Sequence, residues 1–103
     1  YLERLHAAYV PALAAHRPEL VGYVAGADPY VQDQLGGLAL SIEGLRARDR
    51  LVLSAALKDK VPVVIVLAGG YALDLEDTVT IHVNTVHAAR EVLERSGWAK
   101  KEF

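Results

Sequence analysis

Two apolar runs, each stopped by a glycine-containing turn, constrain this chain more than any other feature. The first, Leu20-Val21-Gly22-Tyr23-Val24-Ala25, ends at Gly26-Ala27-Asp28-Pro29-Tyr30. The second, Val61-Pro62-Val63-Val64-Ile65-Val66-Leu67, ends at Ala68-Gly69-Gly70-Tyr71. Both runs are apolar at odd and even positions. That is the pattern of parallel strands covered on both sides. A helical pattern follows each turn. Strands of this kind, joined by a helix, pair in parallel and bring their carboxyl ends to one edge, where open α/β sheets bind ligands. Asp28 and Tyr71 are the reactive side chains of the two turns, so the pattern predicts one shared pocket.

The intervening helices carry their own punctuation. A first helix is expected from Leu2 to about Ala15, with Pro11 inside it and Arg17-Pro18 ending it. A long turn, Gly26 to Leu40, precedes the second helix, and connections of that length tend to be functional. Ser41 is a good N-cap for the second helix, with Leu40 and Leu45 placed as a hydrophobic staple across it. Leu45, Val52, Leu53 and Ala56 form its inward stripe, and Lys58-Asp59-Lys60 closes it. Asp74 caps a third helix, with Glu76 and Asp77 in the first turn suiting the helix dipole. Leu75, Val79, Val83, Val86, Ala89 and Leu93 recur along it at helical spacing. Gly97 is the expected stop, and Trp98 is placed to pack back on Leu93. The order is helix, strand, helix, strand, helix, and residues 1–103 read as a single domain fragment.

Two strands make a poor sheet, because edges and apolar faces stay open. The chain also lacks methionine and opens within a helical pattern. It therefore reads as a piece of something longer, completed by further strands of the same domain or by a second copy. A formal net charge of -2 does not suit a nucleic-acid binder. Arg46, Arg48 and Arg50 are expected on a solvated helix face. With no cysteine there is neither disulfide nor thiolate metal site. No run reaches the roughly 20 apolar residues that span a bilayer. The expected location is cytoplasmic.

Asp28 could ligate a cation through its carboxylate, or it could bond its own Asp-Pro turn. Gly69-Gly70 lets the backbone approach a ligand and take unusual dihedrals. The Tyr71 phenol could then donate to a substrate oxygen, or simply sit half-buried at a helix entrance. A phosphate-binding glycine turn is a third possibility, without the full glycine pattern such turns carry. His6, His16, His82 and His87 show no ligand spacing and read as structural or solvent-facing.

Ala25-Gly26-Ala27-Asp28, Asp33-Gln34-Leu35-Gly36-Gly37-Leu38 and Leu67-Ala68-Gly69-Gly70-Tyr71, in this order and spacing, resemble the C-terminal third of zinc-dependent histone deacetylase family proteins. The stretch from Asp33 to Leu53, with Ser41-Ile42-Glu43-Gly44 and Arg48-Asp49, is most similar to the class IV branch and its bacterial relatives. The resemblance implies an arginase/deacetylase-type α/β fold, a parallel eight-stranded sheet with helices on both faces. It implies that Asp28 is the last zinc ligand and that Tyr71 is the tyrosine polarising the substrate carbonyl. It further implies that Leu35, Gly69 and Gly70 line the substrate tunnel. The substrate implied is acyl-lysine or a related acylated amine. The family's Asp-x-His ligand pair and His-His base pair do not occur in this chain. The chain by itself is therefore expected to be inactive and to hold zinc poorly. The alternative is a non-catalytic α/β scaffold or interaction module that self-associates.

Overall fold

The computed structural model describes residues 1–97. The elements are α1 (Leu2–His16), β1 (Val21–Gly26), α2 (Ile42–Lys58), β2 (Val63–Ala68) and α3 (Leu75–Ser96). This is the expected α/β order. The two strands pair in parallel from Val21↔Val63 to Gly26↔Ala68. The ladder continues at both ends, with Val21 N–H donating to the Pro62 carbonyl (2.9 Å) and Ala27 N–H to the Ala68 carbonyl (3.0 Å). Pro62 lacks a donor but lies just outside the strand, where none is needed.

Local chemistry sets the helix boundaries. The Ser41 hydroxyl accepts from Gly44 N–H at 3.0 Å, satisfying one free first-turn amide of α2. Leu40 packs on the cluster containing Leu45, which completes the staple. Asp74 does the same service for α3, accepting from Glu76 N–H at 2.9 Å. Gly97 ends α3 with φ 72°, a left-handed conformation in which a Cβ is costly. The predicted Trp98–Leu93 contact lies outside the described residues.

Helix α2 is the hub. Its Leu45 joins Ala27, Tyr30 and Ile81 in one buried cluster beneath the strand ends. Its Leu53 joins Ala88 and Val92 in a second, against Tyr23, Val63 and Ile65 of the sheet. Helix α1 packs on α2, where the Tyr9 hydroxyl donates to the Val52 carbonyl at 2.8 Å. The other face of the sheet is open among the described residues: Val24 is 67% exposed, and Val64 and Val66 are each 51% exposed.

Helix α3 turns a different side inward from the one its aliphatic residues suggest. Thr78, Ile81, Thr85, Ala88 and Val92 are buried, whereas Leu75, Val79, Val83 and Val86 are exposed. A threonine can be buried when its hydroxyl has a partner, and Thr85 has one in Asp49.

Candidate active site

Parallel pairing places the residues after β1 and after β2 at the same end of the sheet. Asp28 follows β1 by two residues and Tyr71 follows β2 by three. Glycines bring Asp28 against the second turn, two residues before Tyr71. A Cβ at Gly69 would stand 2.9 Å from Asp28 Oδ1, and one at Gly26 only 2.5 Å from the same oxygen. The Asp28 carboxylate thus lies in a notch of two bare backbone segments. Gly69 has φ 65° and Gly70 φ 122°, which L side chains adopt only with strain. A Cβ at Gly70 would also meet Thr78 Cγ2 at 2.4 Å, so the turn sits hard against the start of α3.

Asp28 is exposed, and its carboxylate has no hydrogen bond or ion pair among the described residues. The Asp-Pro turn is not closed by its own side chain. Tyr71 is 60% exposed and Leu35 73% exposed. Neither is a packed core residue.

The loop of residues 27–41 is anchored by Ala27, Tyr30 and Leu40 in the Leu45 cluster and ordered beyond it by hydrogen bonds. Val31 N–H donates to the Leu40 carbonyl (2.8 Å) and Leu40 N–H to the Pro29 carbonyl (2.9 Å), pinching it shut at its base. Its far side is laced to the turn after β2. Leu73 N–H donates to the Gln32 carbonyl (3.0 Å), and Gln34 N–H to the Tyr71 carbonyl (3.0 Å). Buried Asp33 sits at the centre. Its Oδ1 accepts from Leu35 and Gly36 N–H, each at 2.9 Å, and its Oδ2 from Tyr71 N–H at 2.9 Å. The Tyr71 amide, then those of Leu35 and Gly36, hold this carboxyl below the usual carboxylate range, against the opposing effect of burial. Tyr30, whose hydroxyl donates to Asp77 Oδ2 at 2.7 Å, ties the loop to α3, and that bond raises the phenol's pKa.

Under the rim lies a buried charge pair. Arg48 is 4% exposed and Asp49 is 0% exposed. This corrects the solvated face expected for Arg48. The arginine is held inside because each of its three guanidinium nitrogens finds an acceptor, Nε bonding Asp49 Oδ1 at 3.1 Å. Nη2 bonds Asp49 Oδ1 at 3.0 Å and Nη1 bonds the Gly26 carbonyl at 2.6 Å. Its guanidinium also lies 5.7 Å from the Tyr23 ring centre. The Tyr23 hydroxyl donates to Asp49 Oδ1 and Thr85 Oγ1 to Asp49 Oδ2, each at 2.5 Å. Burial, then the Asp49 bond, pushes the Tyr23 phenol up. Because Arg48 grips Gly26, the network fixes the backbone from which Asp28 departs.

Sequence reasoning singled out Asp28, Leu35, Gly69, Gly70 and Tyr71, and these lie along the two turns at this sheet end. It gave no individual role to Asp33, Arg48, Asp49, Tyr23 or Thr85. For Asp33 a signal existed: Asp followed two and three residues on by available amides is the pattern of an Asx turn. His82 Nε2 stands 3.4 Å from the Gly69 carbonyl, behind the turn. Among the described residues, no three of His, Cys, Asp and Glu converge to hold a metal ion. No helix among them is long and apolar enough to cross a membrane.

A parallel α/β unit of this kind presents its polar side chains at the carboxyl ends of its strands, where open α/β sheets bind ligands. Residues 1–86 match the family model for the histone deacetylase domain, and the chain belongs to that family. It is 44% identical over 92 residues to an uncharacterized protein of Picosynechococcus sp., across 89% of this chain and 31% of the relative. It is 39% identical over 71 residues to histone deacetylase 2 of Arabidopsis thaliana, across 69% of this chain and 18% of the relative. The chain thus spans less than a third of the length of each of these relatives.

Proposed function

We propose that this chain is the segment of a zinc-dependent deacetylase that supplies one metal-ligating carboxylate, Asp28, and the carbonyl-polarising phenol, Tyr71. The substrate is an acyl-lysine or a related acylated amine. The observation that carries the reading is the Asp28 carboxylate: exposed, without a partner, and seated in a notch that a Cβ at Gly26 or Gly69 would fill. A carboxylate oxygen is a suitable zinc donor, and catalytic zinc typically takes three protein ligands. Asp28 fits one of those places, and the other two come from outside residues 1–97. Bound zinc supplies Lewis acidity toward the acyl carbonyl and lowers the pKa of a water.

The chain's own residues then have distinct tasks. The Tyr71 hydroxyl donates to the carbonyl oxygen as negative charge develops on it, an interaction stronger in the transition state than in the ground state. Leu35, exposed on the loop opposite Tyr71, offers an apolar wall to the acyl-lysine stem. Gly69 and Gly70 let the substrate approach the backbone closely. Alone, the chain is expected neither to hold zinc tightly nor to turn over substrate. A cytoplasmic location belongs to the same proposal.

The test is a pair of substitutions in the full-length protein, assayed with an acetyl-lysine peptide. Asp28→Asn should strip or weaken the metal. Tyr71→Phe should leave metal content unchanged and lower turnover by roughly 10²–10³-fold. Normal turnover in Tyr71→Phe overturns the role of the phenol, and full metal occupancy in Asp28→Asn overturns that of the carboxylate.

The open sheet face at Val24, Val64 and Val66 favours a second reading, a non-catalytic module that self-associates. It predicts a stable dimer in sedimentation and no effect of either substitution on any hydrolysis.

A further inference from the structure

We infer that Asp33 is a positioning residue of this site, holding the Tyr71 peptide and the Leu35–Gly36 turn in one fixed relation. The inference rests on the proposed role of Tyr71. It starts from an imbalance in how that tyrosine is held. The Tyr71 side chain is 60% exposed and has no hydrogen bond of its own among the described residues. The two residues before it are glycines with positive φ, which have little intrinsic stiffness. Neither packing nor its N-terminal flank fixes where the phenol points.

Its peptide groups are held instead. The Tyr71 N–H donates to Asp33 Oδ2 at 2.9 Å. The Tyr71 carbonyl accepts from Gln34 N–H at 3.0 Å and from Gln34 Nε2 at 3.2 Å. Asp33 Oδ1 binds the amides of Leu35 and Gly36 at the same time. One buried carboxylate thus joins the loop carrying Leu35 to the turn carrying Tyr71. An ionised carboxylate only accepts, and all three of its recorded contacts are N–H donors. Charge-assisted bonds of this kind are the stronger class. A donor aimed at a reacting carbonyl tolerates little displacement, since about 1 Å of misplacement can cost roughly 10²-fold in rate.

The two ends of the carboxylate can be separated chemically. Asp33→Asn is nearly isosteric. Its single carbonyl oxygen can keep the Leu35 and Gly36 amides, but its NH₂ then faces the Tyr71 N–H, donor against donor. The substitution releases Tyr71 while preserving the turn.

The experiment uses the full-length protein with an acetyl-lysine peptide and compares Asp33→Asn, Tyr71→Phe and the double variant. We expect Asp33→Asn to lower kcat by roughly 10–10²-fold, with KM changed less than about 3-fold and metal content unchanged. In the Tyr71→Phe background the same change should cost less than about 2-fold further, because the group it positions is gone. Equal losses in both backgrounds, or wild-type turnover in Asp33→Asn, overturn the inference while leaving Tyr71 in its role. Normal turnover in Tyr71→Phe instead overturns the role of Tyr71 and the inference with it. Amide exchange on the unaltered protein tests the clamp without any substitution. Protection of the Tyr71 amide together with those of Leu35 and Gly36 supports it, and exchange of Tyr71 at an open-loop rate overturns it.

Discussion

Asp49 is linked to the Gly26 carbonyl through Arg48, Asp28 follows Gly26 by two residues, and the protein treats the two charges in opposite ways. Asp49 is fully buried, with Arg48, Tyr23 and Thr85 on its two oxygens. Asp28 is exposed with nothing on either oxygen among the described residues. The seam between α2, α3 and β1 has saturated its carboxylate. The rim has left its carboxylate open. A saturated buried ion holds a fold in one arrangement but has no capacity left for a ligand. An open one contributes little to stability and keeps its lone pairs free. Asp33 stands between the two, buried like Asp49 yet bonded to backbone at the rim. That intermediate position is why one residue can serve the fold and the site together.

The largest test of this contrast is Asp49→Ala in the protein that carries this chain. It leaves Arg48 buried without its counter-ion, and breaking a buried pair costs about 3–5 kcal/mol. Thermal or denaturant unfolding should show that loss, whereas Asp28→Asn, compared with the unaltered protein when both are metal-free, should change stability by no more than about 0.5 kcal/mol. Similar losses at the two positions would erase the distinction between seam and rim.

A smaller effect is expected from Gly69→Ala. Its φ of 65° costs an L residue about 1–2 kcal/mol, and its Cβ would press on Asp28 Oδ1. Weakened metal retention should accompany the modest stability loss. Unchanged metal content would show that the notch does not shape the ligand.

The third test is pH. The Tyr71, Leu35 and Gly36 amides lower the Asp33 pKa, so this carboxylate gives up its proton more readily in the folded state than in the unfolded one. Its contribution is therefore fully present above the ordinary carboxyl value, about 4, and is lost as pH falls through the lower folded value. Protection of the Tyr71 amide should be flat from about pH 5 to 8 and should collapse only in acid. A midpoint near neutrality would contradict the hydrogen-bond arrangement.

The smallest change is expected at an ion pair belonging to neither region. Arg90 and Glu94, an i,i+4 pair on α3 with side chains 76% and 63% exposed, should contribute no more than about 0.5 kcal/mol. Arg90→Ala should be close to silent in unfolding and in turnover, and so sets the baseline for the others.

What could be read from the sequence follows the range of the interactions. Ser41, Asp74 and Gly97 were legible because caps act on amides and carbonyls a few residues away. The strands and their parallel pairing were legible because two-sided apolar runs separated by a helix leave few alternatives. Asp28 and Tyr71 could be placed at one rim for the same reason. Arg48 and Asp49 were not legible, because the groups that make their burial tolerable, Tyr23, Thr85 and the Gly26 carbonyl, come from other elements. The inward side of α3 was hidden by the same effect. Thr85 looks polar in a helical repeat, and only its bond to Asp49 makes it a core residue. The roles of Leu35 and of the two glycines rest on motif resemblance, since spacing alone gives no reason for an exposed leucine in a loop.

The parallel register has a kinetic consequence. Val21 can meet Val63 only after all of α2 has been laid down between them, so the ladder closes a long loop before its first bond forms. Helix α2 can begin from local contacts, whereas the rim needs the finished crossover. The turns that carry Asp28 and Tyr71 therefore come together late in folding. A nascent or partly unfolded chain carries both turns without the common rim, which forms only with the native topology.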